Sequence, residues 1–398
     1  MNTPRRYAIA GLGHRAEMYV RALAADRAVL AAFCDRNRTR MNVHKGWIGE
    51  PDIQCYNDFV TMLAKEDIDV VIVCTPDHTH ATYIEAALDA GCDVITEKPM
   101  TTDIDGCRRI LDAQRRTGRK VTVAFNYRYN PVHRKVRELL AAGTVGQIGS
   151  VTFEWLLDTR HGADYFRRWH REKANSGGLL VHKSGHHFDL VDWWLDSVPE
   201  TVYAMGRLFF YGKENRRRHG APEDAFALEF SPRLTALYRD AEHEDGYRRD
   251  QNVFSDGITI EDDMTVIARY RDGQQLSYHL VAYSPREGYR VAFNGDKGRL
   301  ELEVFEGSDA RAKITVQPHW GAAGVVLDTP VGEGHGGGDQ RMLAELLGEP
   351  ADDPLGSAAD QLAGMWSLAT GLAANRSLET GVPVAVRDLL SPAIKGER

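Results

Sequence analysis

The chain is poor in cysteine, has no Cys-x-x-Cys pair, no long apolar run and no surplus of basic charge. Each absence excludes a class. Five scattered cysteines (Cys34, Cys55, Cys74, Cys92, Cys107) in 398 residues form no disulfide framework and read as small apolar residues of a reducing compartment. No stretch approaches the roughly 20 apolar residues of a membrane-spanning helix, so no membrane partner is expected. A formal charge of -8 argues against a nucleic-acid partner, which would select a basic face. Arg5-Arg6 start like a twin-arginine export signal, but the glycines of "YAIAGLGHRA" interrupt any apolar signal core. A cytoplasmic location is expected. Repeats and low-complexity blocks are also absent, and the length suffices for two domains with their own cores.

What is present begins with "RRYAIAGLGHRAEMYVRAL", a short apolar strand, a glycine turn and a helix. In the turn, Gly11-x-Gly13-x-x-Ala16, Gly11 permits the tight bend and Gly13 lets backbone approach a pyrophosphate. Ala16 allows close helix–strand packing. The helix N-terminus offers free N–H groups to phosphate. A second strand, "AVLAAFCD", ends in Asp35, 24 positions after Gly11, near the spacing of a ribose-binding acid. An acid there favours NAD; Arg36 beside it leaves NADP the less favoured alternative. "IDVVIVCTPDHTH", the helix "ATYIEAALDAG" and the strand "CDVITEKP" continue the alternation, which predicts a doubly wound parallel sheet.

"AGLGHRA", "CTPDHTH", "EKP", "FNYRYNP" and "SGGLLVHKSGHHFDLVDWW", in that order, resemble the glucose–fructose oxidoreductase / inositol dehydrogenase (Gfo/Idh/MocA) family over nearly the whole chain. The resemblance implies an α/β protein: a Rossmann domain over 1–125 and an α/β domain with a mostly antiparallel open sheet over 126–398, its last helices packing back on the interface. It implies NAD(P)-dependent chemistry on sugars or cyclitols, in homo-dimers or tetramers. Carried over residue by residue, it places His14, Arg15, Thr75, Pro76, His80, Glu97, Asn126 and Trp169 at the cofactor with Gly11, Gly13, Asp35 and Arg36. Lys98 falls beside the nicotinamide and the reacting carbon, where desolvation would lower its pKa toward proton exchange with a hydroxyl.

Beyond residue 126 the composition shifts to alternating strands: "TVYAMGRLFFYG", "DAFALEFS", "MTVIARYRDG", "QLSYHLVAYS", "YRVAFNG" and "GRLELEVFEG". "GEGHGGGDQ" at 332–340 reads as a glycine-rich loop leading into a helix, and "GEPADDPLGSAADQ" as a polar loop between helices. In "NSGGLLVHKSGHHFDLVDWW", His182 and His186 are four apart and share a helix face. The family has an Asp where His182 stands, followed by a His matching His186, so His182 departs from the pattern. Lys183 and His187 add cationic capacity. No metal is expected, because the His-Glu-x-x-His signature is absent and Lys183 would repel a cation. Upstream, "TRHGADYFRRWHREKANSGG" gathers Arg160, His161, Arg167, Arg168, His170, Arg171 and Lys173 among Tyr165, Phe166 and Trp169. In a net-acidic chain this cluster suggests an anionic sugar, held by arginine forks and aromatic faces. Tyr165, Arg167 and His170 are expected at the substrate, Arg128 and Tyr129 at the cleft floor, and His335 with Asp339 closing the site.

The core step is hydride transfer from a secondary alcohol, with Lys98, His182 and His186 managing the hydroxyl proton. The surplus of acid/base groups is similar to that of NAD-dependent glycosidases related to the family, which oxidise carbon 3, eliminate the aglycone, add water and reduce again. An acidic glycoside such as a sulfoquinovoside is the expected substrate on that reading. The alternatives are a plain sugar or cyclitol dehydrogenase and a non-catalytic NAD- and sugar-binding regulator.

Overall fold

The computed structural model describes residues 4–25, 28–307, 309–348 and 352–390. The expected outer ends of the two domains, 1–3 and 391–398, and Glu349-Pro350-Ala351 of the polar loop lie outside the described residues.

Strands β1 (Arg6–Ala10), β2 (Val29–Cys34), β3 (Gln54–Tyr56), β4 (Val70–Val73), β5 (Asp93–Thr96) and β6 (Val121–Val123) pair in parallel in the order β6-β5-β4-β1-β2-β3. All four residues of β4 are buried, as a strand covered on both faces requires. The strand order reverses between β1 and β4, and ligands of such sheets bind in the crevice at that point. Gly11 stands there at φ 86°, where a Cβ would lie 2.6 Å from Thr75 N; only glycine lets the turn pass the end of β4. After the turn comes α1 (Ala16–Ala25), and after β2 comes α2 (Arg38–Ile48), whose N-cap Asn37 accepts from Arg40 N.

The second sheet holds β7 (Ile148–Asp158), β8 (Pro199–Arg207), β9 (Asp263–Tyr270), β10 (Gln275–Ser284), β11 (Glu287–Gly295), β12 (Gly298–Glu306), β13 (Arg311–Pro318) and β14 (Gly324–Pro330). Its order is β14-β13-β12-β11-β7-β10-β9-β8, with a short β16 (Val384–Ala385) beyond β8. Every pair is antiparallel except β7 with β10. Along β9, Met264, Val266, Ala268 and Tyr270 are buried and the residues between them are not, the mark of a sheet covered on one face. The helix Ser184–Leu195 covers that face: Phe188 meets Tyr278 with ring centroids 5.1 Å apart, and Trp194 meets Phe293 at 5.4 Å. Burying each such ring stabilises by about 1.5–3 kcal/mol.

Two expected strands need correction. "DAFALEFS" is no strand, and β8 stops at Arg207, short of "LFFYG". The Asp262 carboxylate accepts from Phe209 N, Phe210 N and Tyr211 N at 2.6, 2.7 and 2.9 Å and pulls the chain off the sheet. The apolar alternation is satisfied in a ring cluster instead, with Phe226 packed between Tyr211 and Phe254. Residues beyond 126 also pack back on the first half. Tyr129 and Met342 pack in a core with β1 residues, and β15 (Ala359–Asp360) extends the first sheet by pairing with β6.

Candidate active site between the two sheets

A cleft of about 1380 Å³ runs from the glycine turn, past the ends of β2, β4 and β5, to the inner face of the second sheet. At the end of β5, across a cis Lys98–Pro99 bond, Lys98 Nζ donates to His182 O at 3.1 Å and lies 3.5 Å from His182 Nε2. Behind the imidazole, His182 Nδ1 is 2.5 Å from Asp77 Oδ2, a carboxylate just past Pro76. Burial lowers the Lys98 pKa to about 8; Asp77 and Glu97 pull it back up, and Lys183 and Arg15 push it down. Burial also pushes Asp77 up and His182 down, with Lys98 and Arg168 adding to the depression of the histidine. Asp77 and the imidazole thus share one short hydrogen bond at Nδ1, and Nε2 faces the lysine.

The same wall carries His186, whose ring stacks on Tyr127 at 4.5 Å and makes no side-chain hydrogen bond among the described residues. Burial, then Lys98 and Lys183, drives its pKa well down, so the ring is neutral. Lys183 Nζ sits 4.7 Å from the Trp155 ring centroid and donates to Tyr127 Oη at 3.2 Å. His170 stacks on Trp169 at 3.7 Å and meets the His182 ring edge-on at 4.2 Å. On the sheet side, Glu287 and Glu306 are directly opposed on β11 and β12, and Glu287 Oε1 takes His161 Nδ1 at 2.6 Å.

Two sets of bonds close the cleft. Asp339 takes Arg15 Nη2 at 3.1 Å, Asn126 Nδ2 at 2.7 Å and His335 Nδ1 at 2.7 Å, and these partners hold its carboxyl well below the usual range. Glu97 fixes the other side of Arg15 at 2.7 Å. At the far end, part of the long β8–β9 connection straps over the glycine turn: His14 N donates to Tyr238 Oη at 2.8 Å, and Asn37 Nδ2 to Ala241 O at 2.7 Å. Arg233 pairs with Glu17, and Arg40 with Asp245 at 2.6 Å.

With this geometry in place, comparison with known proteins is decisive. Residues 5–125 match the oxidoreductase family with an NAD-binding Rossmann fold, and residues 137–386 match the C-terminal alpha/beta domain of the same family. The chain belongs to the Gfo/Idh/MocA oxidoreductase family. YteT of Bacillus subtilis is 38% identical over 363 residues, 83% of this chain and 84% of YteT. Inositol 2-dehydrogenase of Rhizobium meliloti is 33% identical over 141 residues, 35% of this chain and 41% of that enzyme. The fold is like that of scyllo-inositol dehydrogenase from Lactobacillus casei, solved with NAD(H) and scyllo-inositol (TM-score 0.68, 19% identity, 96% of this chain and 99% of that one). Membership makes the protein a NAD(P)-dependent oxidoreductase.

The cleft of this Gfo/Idh/MocA protein fits such a dinucleotide. Gly11, Gly13, Asp35 and Arg36 line one end and Thr75, Pro76 and Lys98 the middle. The buried Asn126 Oδ1 in the wall has no hydrogen-bond partner among the described residues, leaving an acceptor for an amide. His14, Arg15, Glu97, Trp169, Tyr165, His170, Lys183 and His335 also line the cleft. His80 lines it too, but its ring nitrogens lie 2.8 Å from Pro99 O and Thr75 O and tie the ends of β4 and β5 together.

Four expected contacts do not reach the cleft. Arg128 is spent on a buried bidentate pair with Asp189 (2.8 and 2.7 Å) and on Gly356 O. Tyr129 packs in the apolar core. Arg167 reaches Phe226 O and Asp164, and His187 Nδ1 meets Tyr278 Oη at 2.7 Å beneath Trp155. The basic stretch around them is largely consumed: Arg171 reaches the 251–256 segment and Lys173 pairs with Glu261. Sequence reading also passed over Asp77, Tyr127, Trp155, Tyr238, Glu287 and Glu306. Asp77 and Tyr127 carried a signal, their places in "CTPDHTH" and "FNYRYNP".

Proposed function

We propose that the protein is a NAD-dependent dehydrogenase that oxidises a secondary alcohol of a cyclic polyol or sugar, with NADP the poorer cofactor. A bound nicotinamide supplies the hydride acceptor. Lys98, as the free amine, takes the hydroxyl proton as the carbon–hydrogen bond breaks. His182 Nε2 then accepts a proton from Lys98 while the proton shared at Nδ1 moves onto Asp77. His186, with no other partner, positions the reacting hydroxyl. Trp155, Tyr289 and the Glu287–Glu306 pair supply an apolar wall and hydroxyl acceptors for the rest of the ring.

The observation that carries this reading is Lys98 Nζ, 3.5 Å from His182 Nε2, in one cleft with the glycine turn. The inositol 2-dehydrogenase relative supports a cyclitol. Redox-neutral hydrolysis of an anionic glycoside has less support. Arg128 and Arg167 are tied down, and two carboxylates, Glu287 and Glu306, stand where an anion would be held.

The test is a panel of inositols, aldoses, their acidic counterparts and their glycosides, mixed with NAD⁺ while the reduced-nicotinamide absorbance and released aglycone are followed together. A dehydrogenase gives stoichiometric NADH, and Lys98→Ala lowers its rate by about 10²–10⁴. Aglycone release without net NADH, or full turnover by Lys98→Ala, contradicts the proposal.

A further inference from the structure

Three carboxylates converge where β2 ends and α2 begins, and only one of them belongs to the nucleotide-binding domain. Asp35 spends Oδ2 on Leu12 N at 2.6 Å and Oδ1 on Asn37 N at 2.8 Å. The strap brings the other two. Glu244 takes Arg38 N, Thr39 N at 2.9 Å and Thr39 Oγ1 at 2.5 Å, the first donors of α2. Asp245 takes Arg40 in a bidentate pair at 2.6 and 3.2 Å, with the guanidinium also set against the Tyr238 and Tyr247 rings.

We propose that Glu244, supplied by the second domain, sets the preference for NAD over NADP by occupying the backbone donors a 2′-phosphate would use. The inference rests on the dinucleotide reading of the cleft. In a Rossmann fold the adenosine ribose lies at the end of β2, and an added 2′-phosphate needs a nearby arginine or free N–H groups. Here the N–H groups of Arg38 and Thr39 already serve a carboxylate, and Arg40, which lines the cleft, is neutralised by Asp245. A phosphate brought beside Asp35 and Glu244 meets like charge at close range. The opposing influence is Arg36, which makes no ion pair among the described residues; it is exposed, as Glu244 is, so salt screens both charges, and the difference that remains is that Arg38 N and Thr39 N are already taken. Glu244 is held in place because its neighbours in the strap are bonded to Asn37 and His14.

The experiment is equilibrium titration of the full chain with NAD⁺ and NADP⁺, followed by calorimetry, for wild type, Glu244→Gln, Glu244→Lys and the control Glu242→Gln. Wild type binds NAD⁺ more tightly; Glu244→Gln shrinks the ratio of the two dissociation constants by about tenfold and Glu244→Lys shrinks it further. Glu242→Gln, on the same short helix, leaves the ratio unchanged. A ratio that stays fixed in both Glu244 variants overturns the proposal, as does parallel loss of both affinities, an equal shift in the control, or a wild type that prefers NADP⁺. Should wild type bind neither dinucleotide, the underlying cofactor reading fails instead.

Discussion

At the scale of the residue, Lys98 sits where desolvation and charge pull in opposite directions. Burial lowers its pKa to about 8, while Asp77 and Glu97 hold it from falling further. On the proposed mechanism the free amine takes the proton, so alcohol oxidation should rise with pH through that region and ketone reduction should favour the acid side. Asp77→Asn removes a charge that raises Lys98, so the rising limb should move to lower pH as the rate drops. A purely structural role for Asp77 would lower the rate and leave the profile in place. The limb reports the coupled set, not one residue. A strand-end motif and a helical spacing mark Lys98, His182 and His186 in the sequence and all three line the cleft, although His182 ends one short helix (Leu179–His182) and His186 lies in the next instead of sharing one face with it. Asp77 stands inside "CTPDHTH", but its pairing is not legible, because its partner lies 105 positions away and a lone acid after proline has no periodic signature. Arg128 and His187 mislead for a related reason: pattern alone does not separate a cation facing a cleft from one facing Asp189, nor an imidazole there from one on Tyr278.

At the scale of the element, the helix Thr159–Arg167 shows how packing delivers side chains to the cleft. Gly162 lies so close to β10 that a Cβ would stand 1.7 Å from Ala282 O, and His161 and Tyr165 ride on the same helix. Gly162→Ala should push the helix away, costing about 1–3 kcal/mol. A thermal melt and the KM for the polyol check this: the midpoint falls by several degrees and KM rises. Gly46→Ala in α2, where a Cβ meets nothing within 4 Å, should leave both nearly unchanged or raise the midpoint. Strands with clean alternation, β9 to β12, are readable from sequence. "DAFALEFS" has the same alternation without a strand: Phe226 packs on the rings of Tyr211 and Phe254, and its carbonyl accepts from Arg167 instead of from a neighbouring strand.

At the scale of the whole molecule, the two-sheet plan follows from the change from continuous apolar strands to alternating ones. What pattern does not contain is the traffic between the halves: the strap on the glycine turn, Asp339 joining Arg15 to His335, and β15 completing the first sheet. These contacts join two surfaces into one cleft, and they join residues far apart in the chain, beyond any local period. The cleft brings Lys98 of one half against His182 of the other, with His186 and the nucleotide end of the fold lining the same space. The most direct measurement is the mass of the reduced dinucleotide after a single turnover with a polyol deuterated at its carbinol carbon. A hydride taken within this cleft leaves the deuterium on the nicotinamide. Reduced dinucleotide without label, or product formed with no reduced dinucleotide at any stage, would contradict the account.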